Sequence, residues 1–316
     1  MNAMRMLPEN AAQLRSRPPV IVGCVGGSGS RVVAEVLHRS GCFMGKNLNH
    51  ACDNMDFAYC LVGRRAWLRK KFPFDAGDAG ARAAIDLFEK LYFKEPLSLA
   101  DKWRFFRIGL GYLRPSAMRL LRTRTAGQRT GNAAGLLGGR RGALGVEGIE
   151  FSGWGFKLPG SMLMLNVLLD AYPEMKFVHV VRDGRDMALS GNQKMMTHYA
   201  ALFGIEQAYS LERSFELWRR MNSWAGELYS RRMTARNVLV MQFESLCRNP
   251  REQIDRLVAF AGLPAVSDES IYAIPRVIDS IGRWRSQAER FESLDRQVLE
   301  RFGYEVGPGP KNGVNE

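Results

Sequence analysis

The sequence predicts an α/β fold: a central parallel sheet covered by helices on both faces, in three layers, plus a helical, basic insertion. Three observations predict it. A short apolar run, Val20, Ile21 and Val22, leads into a glycine-rich turn and then into a segment with helical apolar spacing. Two further apolar runs, residues 176–181 (KFVHVV) and 237–243 (NVLVMQF), are each followed by a helical pattern. Strands that read as continuous apolar runs and alternate with helices belong in a parallel sheet buried on both faces.

The 316 residues and 46% hydrophobic content suffice for one large α/β domain with its own core. A net charge of +13 points to an anionic partner or substrate: nucleic acid, anionic lipid, a nucleotide, or a sulfated or acidic glycan. The five cysteines, Cys24, Cys42, Cys52, Cys60 and Cys247, include no C-x-x-C pair. An odd count without metal spacing argues for reduced thiols and a cytoplasmic location. The N-terminus lacks the apolar stretch of a signal peptide, and no apolar run is long enough for a transmembrane helix. Residues 1–18 read as a polar, disordered lead-in and 19–304 as a single α/β domain, with 64–148 as its helical basic insertion and 305–316 as a flexible tail.

After the first strand, Gly26, Gly27 and Gly29 break the run, Ser28 and Ser30 supply hydroxyls, and Ser30 is expected to cap the helix that carries Val32, Val33, Val36 and Leu37 on one face. Glycines admit a ligand close to the backbone, and a helix N-terminus offers unpaired N–H groups, so the turn suits phosphate or sulfate. A purely structural tight turn is the alternative. The loop is not a Walker A motif, because Gly29 is followed by Ser30 and Arg31, and it does not fit GxGxxG, because Val32 stands three residues after Gly29.

Gly41 is expected to end that helix. The next segment packs Asn47, Asn49, His50, Asp53, Asn54 and Asp56 into a short span. These are turn and cap residues by type, yet an imidazole with two carboxylates is also what a general base requires. Residues 74–93 read as an amphipathic helix with Ile85, Leu87, Phe88 and Leu91 on one side. Residues 102–146 hold ten Lys or Arg and no Asp or Glu. This is either a solvated basic insertion or a patch for an acceptor or an anionic membrane surface, and no recognition motif supports nucleic acid.

The α/β alternation resumes with a short strand over residues 154–158, ending at Pro159, and helical spacing over 161–171 with Met162, Leu165, Leu168 and Leu169 apolar. The 176–181 strand ends in Arg182, Asp183, Gly184, Arg185 and Asp186, and a helix follows. Ligands of open α/β sheets sit at strand carboxyl ends, where Arg182 lies. Ser190, one or two turns into the next helix, is near enough to share a phosphate with it. The competing reading pairs Arg182 with Asp183 or Asp186. Residues 210–232 form an amphipathic helix whose Phe215, Trp218 and Trp224 belong in the core. Glu244 follows the third strand as an organiser of the loop rather than a catalyst, and Asn249 and Pro250 open the next helix. Residues 280–291 bring Arg283, Trp284 and Arg285 together.

Four pieces, in this order, carry a resemblance: GGSGSR at 26–31, WGFKLP at 154–159, Arg182 with Ser190 eight residues on, and the 238–264 segment with GRWR beyond it. The chain resembles sulfotransferases that use 3′-phosphoadenosine 5′-phosphosulfate (PAPS), and looks closest to the bacterial branch related to glycan and protein-tyrosine sulfotransferases. The resemblance covers residues 19–63 and 150–304. It implies a P-loop-like fold and transfer of a sulfuryl group from PAPS to a hydroxyl or amine, without a metal. It implies a small-molecule, glycan or lipid-linked acceptor. By this resemblance Gly26, Gly27, Ser28, Gly29, Ser30 and Arg31 hold the 5′-phosphosulfate. Arg182 and Ser190 hold the 3′-phosphate, with Arg283, Trp284 and Arg285 as helpers. Lys157 serves the sulfonate and bridging oxygen, and the base is Asp53, with His50 and Asp56 as the other candidates. One departure stands out: the family's loop carries Lys or Arg where this chain has Gly27, so Arg31 or Lys157 supplies that charge. The rival readings are a phosphotransferase acting on ATP, disfavoured by the missing Walker lysine, and a non-catalytic anion or membrane binder on the same fold.

Overall fold

The computed structural model describes residues 10–62, 65–122, 144–145, 148–294 and 297–306. Among the described residues five strands form one all-parallel sheet: β1 (Val20–Cys24), β2 (Cys42–Phe43), β3 (Gly153–Lys157), β4 (Lys176–Val181) and β5 (Val238–Gln242), in the order β2-β3-β1-β4-β5. The register sets Val22 beside Lys157 on one side and Val178 on the other. Side chains alternate across the sheet. Ile21, Phe156 and Phe177 enter one hydrophobic layer, and Val20, Val22, Cys24, Val178 and Val180 enter the other. Both layers are buried, which is why these strands read as unbroken apolar runs.

The helices that matter here are α1 (Ala11–Arg15), α2 (Ser30–Arg39), α3 (Ala79–Tyr92), α4 (Leu99–Arg122), α5 (Leu165–Ala171), α6 (Gly184–Ala188), α7 (Leu211–Arg232), α8 (Phe243–Arg248) and α9 (Pro250–Ala261). In α3, Asp78 caps the N-terminus by accepting from Ala81 N, and Ile85, Leu87 and Phe88 are buried as their spacing predicts. Phe215 and Trp218 of α7 are core residues, with Trp224 packed at its margin. Gly41, at φ +92°, takes the left-handed turn after α2.

Four local expectations are corrected. The lead-in is structured from residue 10: α1 docks with Leu14 buried, and Trp154 Nε1 donates to Arg17 O at 2.8 Å. Ser30 does not cap α2; Gly29 occupies the cap position at φ +81°, and Ser30 begins the helix itself. The segment after β3 is not helical in one piece. Pro159–Met164 forms a tighter 3₁₀ stretch before α5, where Ser161 Oγ donates to Val22 O at 3.3 Å and Gly160 packs against Val62 and Tyr199. Finally α6 ends at Ala188, so Ser190 lies past it; Ser190, Gly191 and Asn192 are weak helix formers. Within the insertion the described residues form a helix over Arg65–Lys71, α3 and α4, joined by non-helical stretches at 72–78 and 93–98. Its Gly- and Arg-rich part, 123–143, and the tail from 307 lie outside the described residues.

Candidate active site

Every strand end of interest points to one edge of the sheet, because all strands run parallel. The loop after β1 turns there. Gly27 at φ +100° and Gly29 at φ +81° both use backbone that favours glycine. Gly29 is doubly constrained, since a Cβ on it would lie 2.1 Å from the Phe243 ring. Gly26 has Met195 over it, a Cβ there lying 2.8 Å from that side chain. Gly27 is exposed at the apex, while Ser28 and Ser30 are buried. The two hydroxyls are used differently. Ser28 Oγ donates to Val25 O at 2.6 Å, closing the turn, and Ser30 Oγ accepts from Cys24 Sγ at 3.1 Å. Ser28 has thus spent its proton on a carbonyl, whereas Ser30 only accepts and keeps its O–H as a donor beside the backbone N–H groups of the loop.

Lys157 ends β3 beside this loop. Its Nζ lies 2.5 Å from Asp53 Oδ1 and donates to Ala51 O at 3.0 Å. Asp53 is held in turn by Asn49 Nδ2 on Oδ2, at 3.0 Å. The polar cluster folds back onto β3 because Asn54 N donates to Lys157 O at 2.8 Å and the Asn54 side chain caps the next turn through Phe57 N. Burial pushes the Cys24 thiol up to about 11, with the Lys157 ammonium pulling against it. Burial raises Cys52 as well, opposed first by Lys157 and then by Arg31, so both cations lie within electrostatic reach of that one thiol. Arg31 itself is exposed on the first turn of α2.

Lys157 is bonded to Ala51 and Asp53, not to the other two base candidates, His50 and Asp56. His50 is exposed at the tip of the turn. Asp56 accepts from Asn47 Nδ2 at 2.8 Å, and burial raises its carboxyl, with Lys94 as its opposing cation.

Arg182, one residue past β4, is 7% exposed. It donates to Ser280 O at 2.7 Å and Ser280 Oγ at 2.9 Å, with Gly27 O at 3.5 Å. Its guanidinium also lies over the Phe243 ring, 5.4 Å from the centroid. Nε is buried without a partner, and among the described residues no carboxylate pairs with it. The two aspartates that compete for it in sequence are engaged elsewhere. Asp183 binds Arg185 at 2.8 Å, and Asp186 accepts from Gly282 N at 2.6 Å and Trp284 N at 3.0 Å. Burial raises Asp186.

Through Asp186 the late GRWR segment is tied to the end of β4. Arg283 Nε donates to Asp186 O at 3.0 Å, and burial together with the neighbouring Arg182 guanidinium lowers its affinity for a proton. Trp284 and Arg285 turn another way. Arg185 stacks on Trp284, 3.4 Å from its centroid, and Arg285 pairs with Glu305 at 2.9 Å. Both line a cavity of about 200 Å³ that also holds Glu244 and Tyr304. Ser190 Oγ accepts from Asn192 N at 3.2 Å. Glu244 is an organiser, accepting from Asp183 N at 2.9 Å and Tyr304 Oη at 3.0 Å. The residues that sequence reasoning missed are Ser280, Phe243 and Met195. Only Ser280 had a signal, its place just before GRWR; the other two read as ordinary core residues.

The carboxyl edge of this α/β sheet therefore gathers a glycine loop after its first strand, a half-buried lysine–aspartate pair beside it and, just past β4, an arginine without a carboxylate partner. The chain belongs to the sulfotransferase family, whose profile matches residues 19–268. Among solved structures it is similar to the sulfotransferase domain of the olefin synthase of Synechococcus PCC 7002, at 16% identity over 92% of this chain and 96% of that one, TM-score 0.42. It is also similar to the sulfotransferase domain from the curacin biosynthetic pathway, at 13% identity over 92% and 99%, TM-score 0.44. A sulfotransferase from Alicyclobacillus acidocaldarius matches at 13% identity over 92% and 98%, TM-score 0.42. No curated protein sequence matches. No described helix is long and apolar enough to cross a membrane.

Proposed function

We propose that the protein transfers a sulfuryl group from PAPS to a hydroxyl or amine of a small-molecule, glycan or lipid-linked acceptor. The observation that carries this reading is Arg182: a buried guanidinium with neutral partners only and an orphaned Nε, facing the glycine loop through Gly27 O. A buried cation without a carboxylate fits an anionic ligand such as a 3′-phosphate. Arg283, within electrostatic reach, adds a second positive charge there. The backbone of Gly26 to Arg31, at the start of α2, suits the 5′-phosphosulfate.

PAPS, when bound, supplies an activated sulfonate and a phosphoadenosine phosphate leaving group. The chain has two tasks beside it. Lys157 is the cation aimed at charge developing on the sulfonate and bridging oxygens, in place of the one missing at Gly27. Asp53 takes the acceptor's proton; its oxygens each retain a lone pair beyond the bonds to Lys157 and Asn49. Contact with Lys157 favours Asp53 over His50 and Asp56, because base and cation must meet at one sulfur. The sulfotransferase family match supports the reaction class. The test is transfer of radiolabelled sulfonate from PAPS to a panel of alcohols, amines, glycans and lipid extracts, with labelled ATP as control. Transfer from PAPS alone supports the reading; phosphoryl transfer from ATP overturns it.

A further inference from the structure

Helix α4 carries two apolar faces, and only one of them is used. On the inner face Ile108 is buried and Phe105 packs at 4.7 Å between ring centroids against Tyr59, whose hydroxyl donates to Phe105 O at 2.7 Å. On the outer face Leu99, Trp103, Phe106 and Leu110 are exposed by 85%, 60%, 54% and 41%. Their spacing of four, three and four residues aligns them in one stripe along the helix. Trp103 and Phe106 stack on each other at 5.8 Å rather than on the protein. These four are most of the large exposed hydrophobic side chains among the described residues, and they share one helix face. Water-facing stripes of this kind mark interaction sites.

Charge selects the occupant. At helical spacing Lys102 and Arg107, both exposed, flank the stripe on its two sides. The single acidic residue of α4, Asp101, is turned inward and neutralised by Lys90 at 2.7 Å, with Arg104 at 3.5 Å. Beyond Lys102, Arg104 and Arg107 the sequence to residue 146 adds seven arginines and no acid. An apolar stripe flanked by a cation on each side, on a helix lying along the surface, has the composition of an interfacial helix whose apolar face enters the acyl boundary while its cations meet headgroup phosphates.

We infer that α4 docks the protein on anionic lipid bilayers through Leu99, Trp103, Phe106 and Leu110. The inference does not depend on the transfer chemistry. On its inner face the helix rests on the wider turn Ala58–Val62, through Tyr59, and that turn lies a few residues after Asp53 in the chain.

The test is sedimentation with phosphatidylcholine vesicles made with or without phosphatidylglycerol. The full chain should partition onto the anionic vesicles at least about tenfold more strongly than onto the neutral ones, and added salt should weaken this. The exposed double variant Trp103→Ser/Phe106→Ser should lose at least about tenfold in partitioning. Lys102→Glu/Arg107→Glu should lose the preference for phosphatidylglycerol. Both variants should keep the far-ultraviolet circular dichroism and the 3′-phosphoadenosine 5′-phosphate affinity of the parent chain. Failure of the parent to bind anionic vesicles overturns the inference, as does binding by Trp103→Ser/Phe106→Ser equal to the parent's. Concentration-dependent self-association that this variant abolishes, without vesicle binding by the parent, overturns it in favour of a second copy as the occupant.

Discussion

Lys157 Nζ and Asp53 Oδ1 meet at 2.5 Å, joining the end of β3 to a turn about a hundred residues earlier, with 4% of the lysine side chain exposed and 19% of the aspartate's. The pair is open enough on the Asp53 side for an acceptor to reach the carboxylate. If Asp53 is the base, Asp53→Asn lowers kcat by roughly 10²–10⁴. Binding of 3′-phosphoadenosine 5′-phosphate should not weaken, because the contacts of Arg182 are untouched and loss of the carboxylate leaves the Lys157 charge uncompensated toward an anion. An unchanged kcat removes Asp53 from the chemistry.

Arg182 is the complementary case, a residue for binding rather than turnover. Arg182→Ala should weaken 3′-phosphoadenosine 5′-phosphate by about 1.5–3 kcal/mol, the loss expected for a hydrogen bond to a charged group. Calorimetry checks it, and equal affinity contradicts the 3′-phosphate assignment. Ser280→Ala should cost less, since the Ser280 carbonyl still accepts from Arg182 at 2.7 Å.

Gly29→Ala puts a Cβ into left-handed backbone and into the Phe243 ring. The two costs together come to roughly 2–5 kcal/mol, from backbone strain and overpacking. Urea unfolding should show that loss. Gly29→Ala/Phe243→Leu should recover part of it, because the ring clash is relieved while the strain remains.

Acid sensitivity has an identified source in His179 of β4. The ring is fully buried among Phe177, Tyr229 and Phe302, and burial pushes it down to about 4 from 6.5, against a weaker opposing pull from Asn222. Between those values the unfolded chain binds the proton and the folded chain does not. Its contribution is therefore complete above 6.5 and is lost as pH falls toward 4. The total is about 3 kcal/mol. His179→Leu should flatten the fall in unfolding free energy between pH 7 and pH 5 relative to the parent. Parallel pH profiles contradict this.

Much of the sheet was legible because β1, β4 and β5 are apolar runs set between helices, and the strand-end position of Arg182 followed from the same pattern. What could not be read was local competition for polar groups. Ser28 and Ser30 look like equivalent ligand donors in a glycine loop, yet Ser28 spends its proton on a carbonyl while Ser30 accepts from a thiol and keeps its own. Asp183 and Asp186 look like partners for Arg182, yet Arg185 and the backbone of Gly282 and Trp284 claim them. Ser190 fell outside its helix because three weak helix formers follow Leu189. The pairing of Asp53 with Lys157 crosses 104 positions, and no local pattern encodes it. Nor did spacing separate the two apolar faces of α4, because both satisfy a helical repeat.

The most direct test of the central claim is calorimetric titration of the intact chain with 3′-phosphoadenosine 5′-phosphate and, separately, with ATP. Saturable binding of the first, with affinity lowered by Arg182→Ala and ATP binding at least about tenfold weaker, is the predicted result. Binding of neither nucleotide, or ATP binding as tightly as the bisphosphate, would contradict it.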